Sequence, residues 1–304
     1  VQSGTEAGKS NPEDLGISKV HHFDSIQHLV MRTGWEPDDL HVTYQCTPYE
    51  ADVHAHTQAD RLNFTMYGLG ERLVIDSGYG IVPIEGSSQV ERMGKLGESH
   101  NQVQIDGKAQ SATPVQGGVK DYRHEIRWGQ QDDWVWSVGD ATPFYEDAGV
   151  VRRAVVTHLS KLNPIVLIAD VAIMDDGEHT FDWLLQTETG NKFELCPHGA
   201  KLTGHRTCAE VGVIQVANVP VSWRQDEWIS HPRLIGSSKG TYLICLTMIG
   251  RGDALVGEQD EGEISLQYQD ETRGVLARIK WAEGLGDEQL VEFNLESAGI
   301  TFTI

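Results

Sequence analysis

RRAVVTHLSKLNPIVLIADVAIMDDGEHTFDWLLQ, residues 152–186, decides the class of the fold. It falls into three apolar runs, VVRRAVVTHL (150–159), PIVLIADVAIM (164–174) and HTFDWLLQTE (179–188), with Asn163-Pro164 as the turn between the first two. Runs of this length, rich in Val and Ile and closed by turn residues, read as strands rather than helices. The same rhythm continues outward. Upstream, HLVMRTGW (28–35) and HVTYQC (41–46) flank the turn EPDD, and LNFTMYGLG (62–70) and RLVIDSG (72–78) form a hairpin joined at residues 68–71. NQVQIDG, DYRHEIRW and DWVWSVGDA follow, at 101–107, 121–128 and 133–141. Downstream come VGVIQVANVPVSW, GTYLICLTMIG, EISLQYQD, GVLARIKW, LVEFNLES and ITFTI. Gly, Asp, Asn or Pro punctuates nearly every gap, and no long stretch has a helical period. The expectation is an all-β chain built as a large antiparallel two-sheet sandwich. Residues 1–25 read as a polar tail or linker and 26–304 as one sandwich domain; the Gly- and Ser-rich stretch 80–98 reads as a loop.

Composition narrows the partners. Lys+Arg number 24 against 45 Asp+Glu, a net charge of −21 over 304 residues. Such a surface repels nucleic acid and anionic membrane, and an anionic polymer would need a local basic cleft. No apolar run reaches the length of a membrane span. The chain starts at Val1 with neither an initiator Met nor a signal peptide, which leads us to expect a processed, truncated or cleaved chain. Four cysteines, Cys46, Cys196, Cys208 and Cys245, form no regular framework.

Residues 53–110 gather the groups capable of chemistry. His54 and His56 precede an apolar strand, Asp76 ends the next one, and His100 stands directly before Asn101. Imidazoles and a carboxylate on neighbouring strands suit a borderline, zinc-type ion, although rim histidines and a turn carboxylate would read the same way.

These motifs, taken together, resemble the heparinase II/III-like polysaccharide lyases. The resemblance rests on His54-Ala-His56, on Asp60 to Phe64 (DRLNF), on Asp76 to Gly80 (DSGYG) and on Ser99 to Gly107 (SHNQVQIDG). It continues through the paired arginines, the apolar run ending in Asp and the H-x-F-x-W strand of 152–186. It implies a β-elimination at a uronic acid, with the sandwich paired to an N-terminal α/α toroid that is absent from this chain and carries much of the catalytic machinery. It also implies a divalent metal, zinc in type, on His56, Asp76 and His100, with His54 as the alternative first ligand. His54 and Tyr79 become candidate catalytic groups, and Arg92 and Asn101 candidate substrate contacts. The same resemblance implies an anionic uronate polysaccharide or oligosaccharide as partner, alginate-like or glycosaminoglycan-like, and a periplasmic or secreted location. A non-catalytic carbohydrate-binding module is the competing reading. Several relatives carry a Tyr between the Asp and the last His, whereas residues 81–121 here contain none.

A second group, Cys196-Pro-His198 with His205-Arg-Thr-Cys208, could be a small zinc site, a local disulfide or unconnected side chains. Trp223, Trp228 and Trp281 read as sheet-packing aromatics rather than sugar platforms.

Overall fold

The computed structural model describes residues 12–50, 57–78, 81–83, 90–92, 96–116, 121–123, 125–162, 164–251 and the strand segments 263–269, 274–280, 289–296 and 299–303, the last four, 81–83, 90–92 and residue 251 by backbone alone. Among the described residues every regular element is a strand, apart from two short 3-10 turns at Gly97–Ser99 and Thr142–Phe144. No described helix is long and apolar enough to cross a membrane.

Strands β1 (Val20–Phe23), β2 (His28–Arg32), β3 (His41–Gln45), β4 (Phe64–Gly68) and β5 (Glu71–Val74) make a five-stranded antiparallel meander. β1 lies inside the stretch expected as tail and pairs with β2 through Val20 and Met31. β6 (Ile81–Pro83) and β7 (Val90–Arg92) pair within residues 80–98, so a stretch read as loop holds a short hairpin. The central wall is an eight-stranded sheet with the order β14-β15-β16-β19-β12-β11-β10-β9, where β9 to β12 are Arg127–Gln131, Trp134–Asp140, Ala148–His158 and Ile165–Met174. β14 to β16 are Lys192–Cys196, Gly199–Thr203 and Glu210–Ala217, and β19 is Tyr242–Arg251. A third sheet runs β17-β18-β13-β8, from Ser222–Trp228, His231–Gly240, His179–Gln186 and Val103–Ile105. The last four strands, β20 (Glu263–Gln269), β21 (Gly274–Lys280), β22 (Gln289–Glu296) and β23 (Gly299–Thr303), form a meander of their own.

Strand alternation explains why the central runs are apolar throughout. Val151, Val155, Val166, Ile168, Leu243 and Ile249 face one core, shared with Tyr44, Phe64, Phe181 and Trp183 of the opposing sheets. Their sequence neighbours Ala154, Val156, Leu167, Ala169, Ile244 and Leu246 form a second buried cluster on the other face. A strand buried on both faces has no polar side to alternate with. The hairpin corners are chemically explicit. Leu69-Gly70 and Asp106-Gly107 each hold two successive positive φ angles, the backbone that a tight two-residue hairpin turn requires.

A buried ion pair crosses the central sheet. Arg153 and Asp170 are opposite each other in the β11–β12 register, and their side chains are 1% and 4% exposed. Arg153 donates from Nε and Nη2 to the two Asp170 oxygens, at 2.6 and 3.1 Å. Its Nη1 donates to the carbonyls of Leu62 and Asn101, at 2.8 and 2.5 Å, and Trp183 Nε1 donates to Asp170 Oδ2 at 2.9 Å. Desolvation at such depth is offset only with good geometry and further hydrogen bonds, and here each guanidinium nitrogen and both carboxylate oxygens are engaged. Removing one partner strands the other. Arg153→Met should therefore destabilise the fold by about 3–5 kcal/mol in urea denaturation, and an unchanged midpoint would mean that the pair does not carry this load.

Candidate functional site: a histidine–carboxylate pair beside a groove

Asp76 and His100 are brought together. His100 Nδ1 lies 2.8 Å from Asp76 Oδ2; the imidazole is wholly buried, while the carboxylate is 27% exposed. Two segments set this contact. Asp76 leaves the end of β5, where Ile75 N donates to Gln186 O at 3.1 Å and Ser77 N to Ser99 O at 3.3 Å. Ser77 Oγ also bonds Gln186 Oε1. Asn63 Nδ2 and the Gly78 N–H donate to the two Asp76 oxygens, at 2.7 and 2.9 Å. His100 follows the Gly97–Ser99 turn, whose Gly97 has no room for a side chain: a Cβ there would stand 2.4 Å from that of Ala109.

Asn101 is buried and its amide is spent on the scaffold. Nδ2 donates to the carbonyls of Phe64 and Ile75, at 2.9 and 2.8 Å, and Oδ1 accepts the Gln186 N–H at 2.7 Å. Its own N–H donates to Asn63 Oδ1 at 2.9 Å. The residue expected as a substrate contact is, by this placement, a pin joining β4, the end of β5 and β13, with no surface to offer a ligand. His54, His56 and Tyr79 lie outside the described residues. Arg92 ends β7, with its side chain likewise outside the description.

A further carboxylate sits behind the pair. Asp60 Oδ2 accepts from Gln45 Nε2 at 2.8 Å, while its Oδ1 is buried without a hydrogen-bond partner. Burial pushes this carboxyl above its usual range, the charge of Asp76 adds to the rise, and His100, Arg61 and His28 oppose it. An orphaned buried oxygen near an imidazole–carboxylate contact is what a cationic guest would relieve. An imidazole nitrogen and a carboxylate oxygen 2.8 Å apart are two donors of the kind a zinc-type ion takes, and the expected third donor, His56, lies outside the described residues. In front of the pair, an open groove of about 420 Å³ runs along β4 and β5, lined by His41, Thr65, Tyr67, Arg72 and Asp76.

The described cysteine cluster does not form. Cys196 and Cys208 are exposed free thiols, and among the described residues the one group close enough to share an ion is Glu71, Glu188 and His205. Trp223 packs on the core edge-on to Trp183, as expected of a sheet-packing residue, whereas Trp228 is half-buried, lies under the Arg233 guanidinium and donates from Nε1 to Ser99 Oγ at 3.1 Å. Trp281 lies outside the described residues. Sequence reading passed over Asn63 and Gln186, since an amide that orients another side chain carries no motif.

The family model for Heparinase II/III-like, C-terminal, matches residues 18–254. The chain belongs to that family. Solved structures agree in fold. A crystal structure of heparinase III superposes with a TM-score of 0.62 at 15% identity, covering 91% of this chain and 42% of that one. The heparinase III-BT4657 gene product gives 0.64 at 16%, covering 93% and 44%. Heparan sulfate lyase HepC from Pedobacter heparinus gives 0.62 at 14%, covering 92% and 43%. The chain thus spans under half the length of these heparinase structures. No curated protein matches it.

The raised Asp60 carboxyl yields a signed pH effect. The folded chain holds this proton more tightly than the unfolded chain, whose carboxylate titrates near pH ~3.9. Its penalty grows as pH rises through the raised value and is relieved as pH falls below it. Denaturation of metal-free wild type and Asp60→Asn at pH 7 and pH 5 should show the difference shifting toward wild type at the lower pH; parallel behaviour would contradict it.

Proposed function

We propose that this chain is the sandwich half of a lyase that cleaves uronic-acid-containing polysaccharide or oligosaccharide by β-elimination. The observation that carries the reading is the buried His100–Asp76 contact at the end of an open groove, in a chain of the heparinase II/III-like C-terminal family. In the reaction a base removes the C5 proton of the uronate, the electron pair forms the C4–C5 double bond, and the O4 leaving group takes a proton from an acid. The carboxylate's developing negative charge needs donors aimed at it. Arg72, His41 and Tyr67 line the groove and supply donors of this type; Arg92 is a further proposed substrate contact. His54 and Tyr79 are the proposed acid–base groups from this chain. The absence of any Tyr from 81 to 121 puts the rest of the proton transfer on an N-terminal helical half. Asn101 enters as a positioning residue that fixes His100 rather than as a ligand contact.

Asp76 and His100, with His56 as third donor, are the proposed holders of a divalent ion, zinc in type. Such an ion would tie the groove strands together and could polarise a substrate oxygen. The acidic balance of −21 favours an alginate-like over a heavily sulfated substrate. The proposed setting is periplasmic or secreted. The competing reading, a non-catalytic carbohydrate-binding module, draws on the same groove. Incubation with alginate and heparan sulfate, alone and with the helical half, separates them through the ultraviolet absorbance of the unsaturated product. We expect product when both halves are present; sugar binding without product under either condition would contradict the lyase reading.

A further inference from the structure

A cluster of two carboxylates and an imidazole lies away from the groove pair, where three sheets meet. Glu71 opens β5 of the first sheet, Glu188 follows β13 of the third, and His205 lies between β15 and β16 of the central sheet. One ligand atom from each falls within 4.8 Å of the others. The enclosure is built for the acid. Glu71 is fully buried, and a Cβ on Gly204 would collide with its Cγ and Cδ at 2.4 Å. Gly190, at φ +98°, lets the His205 ring approach to 3.0 Å of where a Cβ would stand.

The hydrogen bonds are lopsided. Glu71 Oε1 accepts from the N–H groups of Arg206 and Thr207 and from Thr207 Oγ1. Glu71 Oε2, 4.0 Å from His205 Nδ1, has no partner. Glu188 repeats the pattern. Its Oε1 meets Arg206 Nη2 at 2.6 Å and Arg72 Nη1 at 3.7 Å, and its Oε2 is buried and unpartnered. Two carboxylates thus each commit one oxygen to the protein and leave the other without a partner, in a group whose ligand atoms lie within 4.8 Å of one another. A buried carboxylate oxygen without a donor is costly, and it is commonly relieved by a cation. The ring can take part without stranding its neighbour. Asn191 Oδ1 accepts from the His205 backbone N–H at 3.0 Å as well as from the ring at 2.8 Å, and Asn191 Nδ2 is fixed by Arg72 O and Thr187 Oγ1.

We propose that Glu71, Glu188 and His205 bind a divalent ion of borderline type, with Zn²⁺ as the representative, and that the ion clasps the three sheets at this corner. Two carboxylates and an imidazole suit zinc better than calcium, which takes oxygen alone. This site stands whether or not the lyase reading does, since none of its residues lines the groove except through the backbone neighbour Arg72.

Calorimetric titration of the chelator-stripped protein with zinc chloride tests it. His205→Ala and Glu188→Gln should each lose one zinc equivalent per chain relative to wild type, with unchanged circular dichroism. His100→Ala and Cys208→Ser should both retain that equivalent. The same zinc stoichiometry in wild type, His205→Ala and Glu188→Gln would overturn the assignment. Loss of the equivalent in Cys208→Ser would overturn it too, by moving the ion to the exposed thiol. Glu188→Gln and His205→Ala alter partly exposed side chains, so the outcome does not depend on disturbing buried Glu71.

Discussion

The guanidinium of Arg153 stands in the interior of the sandwich and must be satisfied there. Asp170 neutralises it from the facing strand, and its remaining donor reaches the carbonyls of Leu62 and Asn101. Those two carbonyls belong to the segments that carry Asn63 and His100. One buried pair in the central sheet therefore fixes the height and direction of the groove residues in the opposing wall. An apolar pair of equal volume could fill the same space, but it could not grip two loop carbonyls.

From that anchor the site is assembled by amides rather than by charges. Asn101 ties β4, the end of β5 and β13 together, Asn63 orients Asp76, and Gln186 holds both Ser77 and the Glu98 carbonyl. Such a network is rigid while complete, and each member matters more than its single hydrogen bond would suggest. It leaves Asp76 partly open toward the groove while His100 is sealed behind it. The buried oxygen of Asp60 adds negative potential at the same point, which favours a cation over an anion there.

Much of this was legible in the sequence, for definable reasons. Strands β11, β12 and β19 announce themselves because they are long, rich in Val, Ile and Leu and buried on both faces, and β13 because Phe181, Trp183 and Leu185 alternate toward one core. Asp76 and His100 were legible as a pair through the motifs around them. The strand β18 was not, because HPRLIGSSKG mixes Pro, Gly, Ser and Lys, and its burial comes from pairing on both sides with β13 and β17. Its hairpin turn was equally hidden. Ile229 and Ser230 take positive φ angles usually left to Asn and Gly, so no turn signature marks it. β1 lay within a polar stretch and is defined by its partner β2 rather than by its own residues. Glu71 stands 117 residues before Glu188, and Glu188 and His205 share no motif spacing; His205 was instead grouped with nearby cysteines that the fold leaves exposed.

The arrangement makes sense of a chain that is acidic overall yet offers a groove bordered by Arg72 and His41. It supplies a rigid wall with a polar rim, and a proposed ion at its foot would keep that rim in register. Anomalous diffraction at the zinc absorption edge, from crystals grown after zinc loading, addresses this most directly. The account predicts a peak within bonding distance of Asp76 and His100, with Asn101 and Arg153 holding the partners described above. Strong density for both side chains, still hydrogen-bonded to each other and with no anomalous peak beside them, would contradict it.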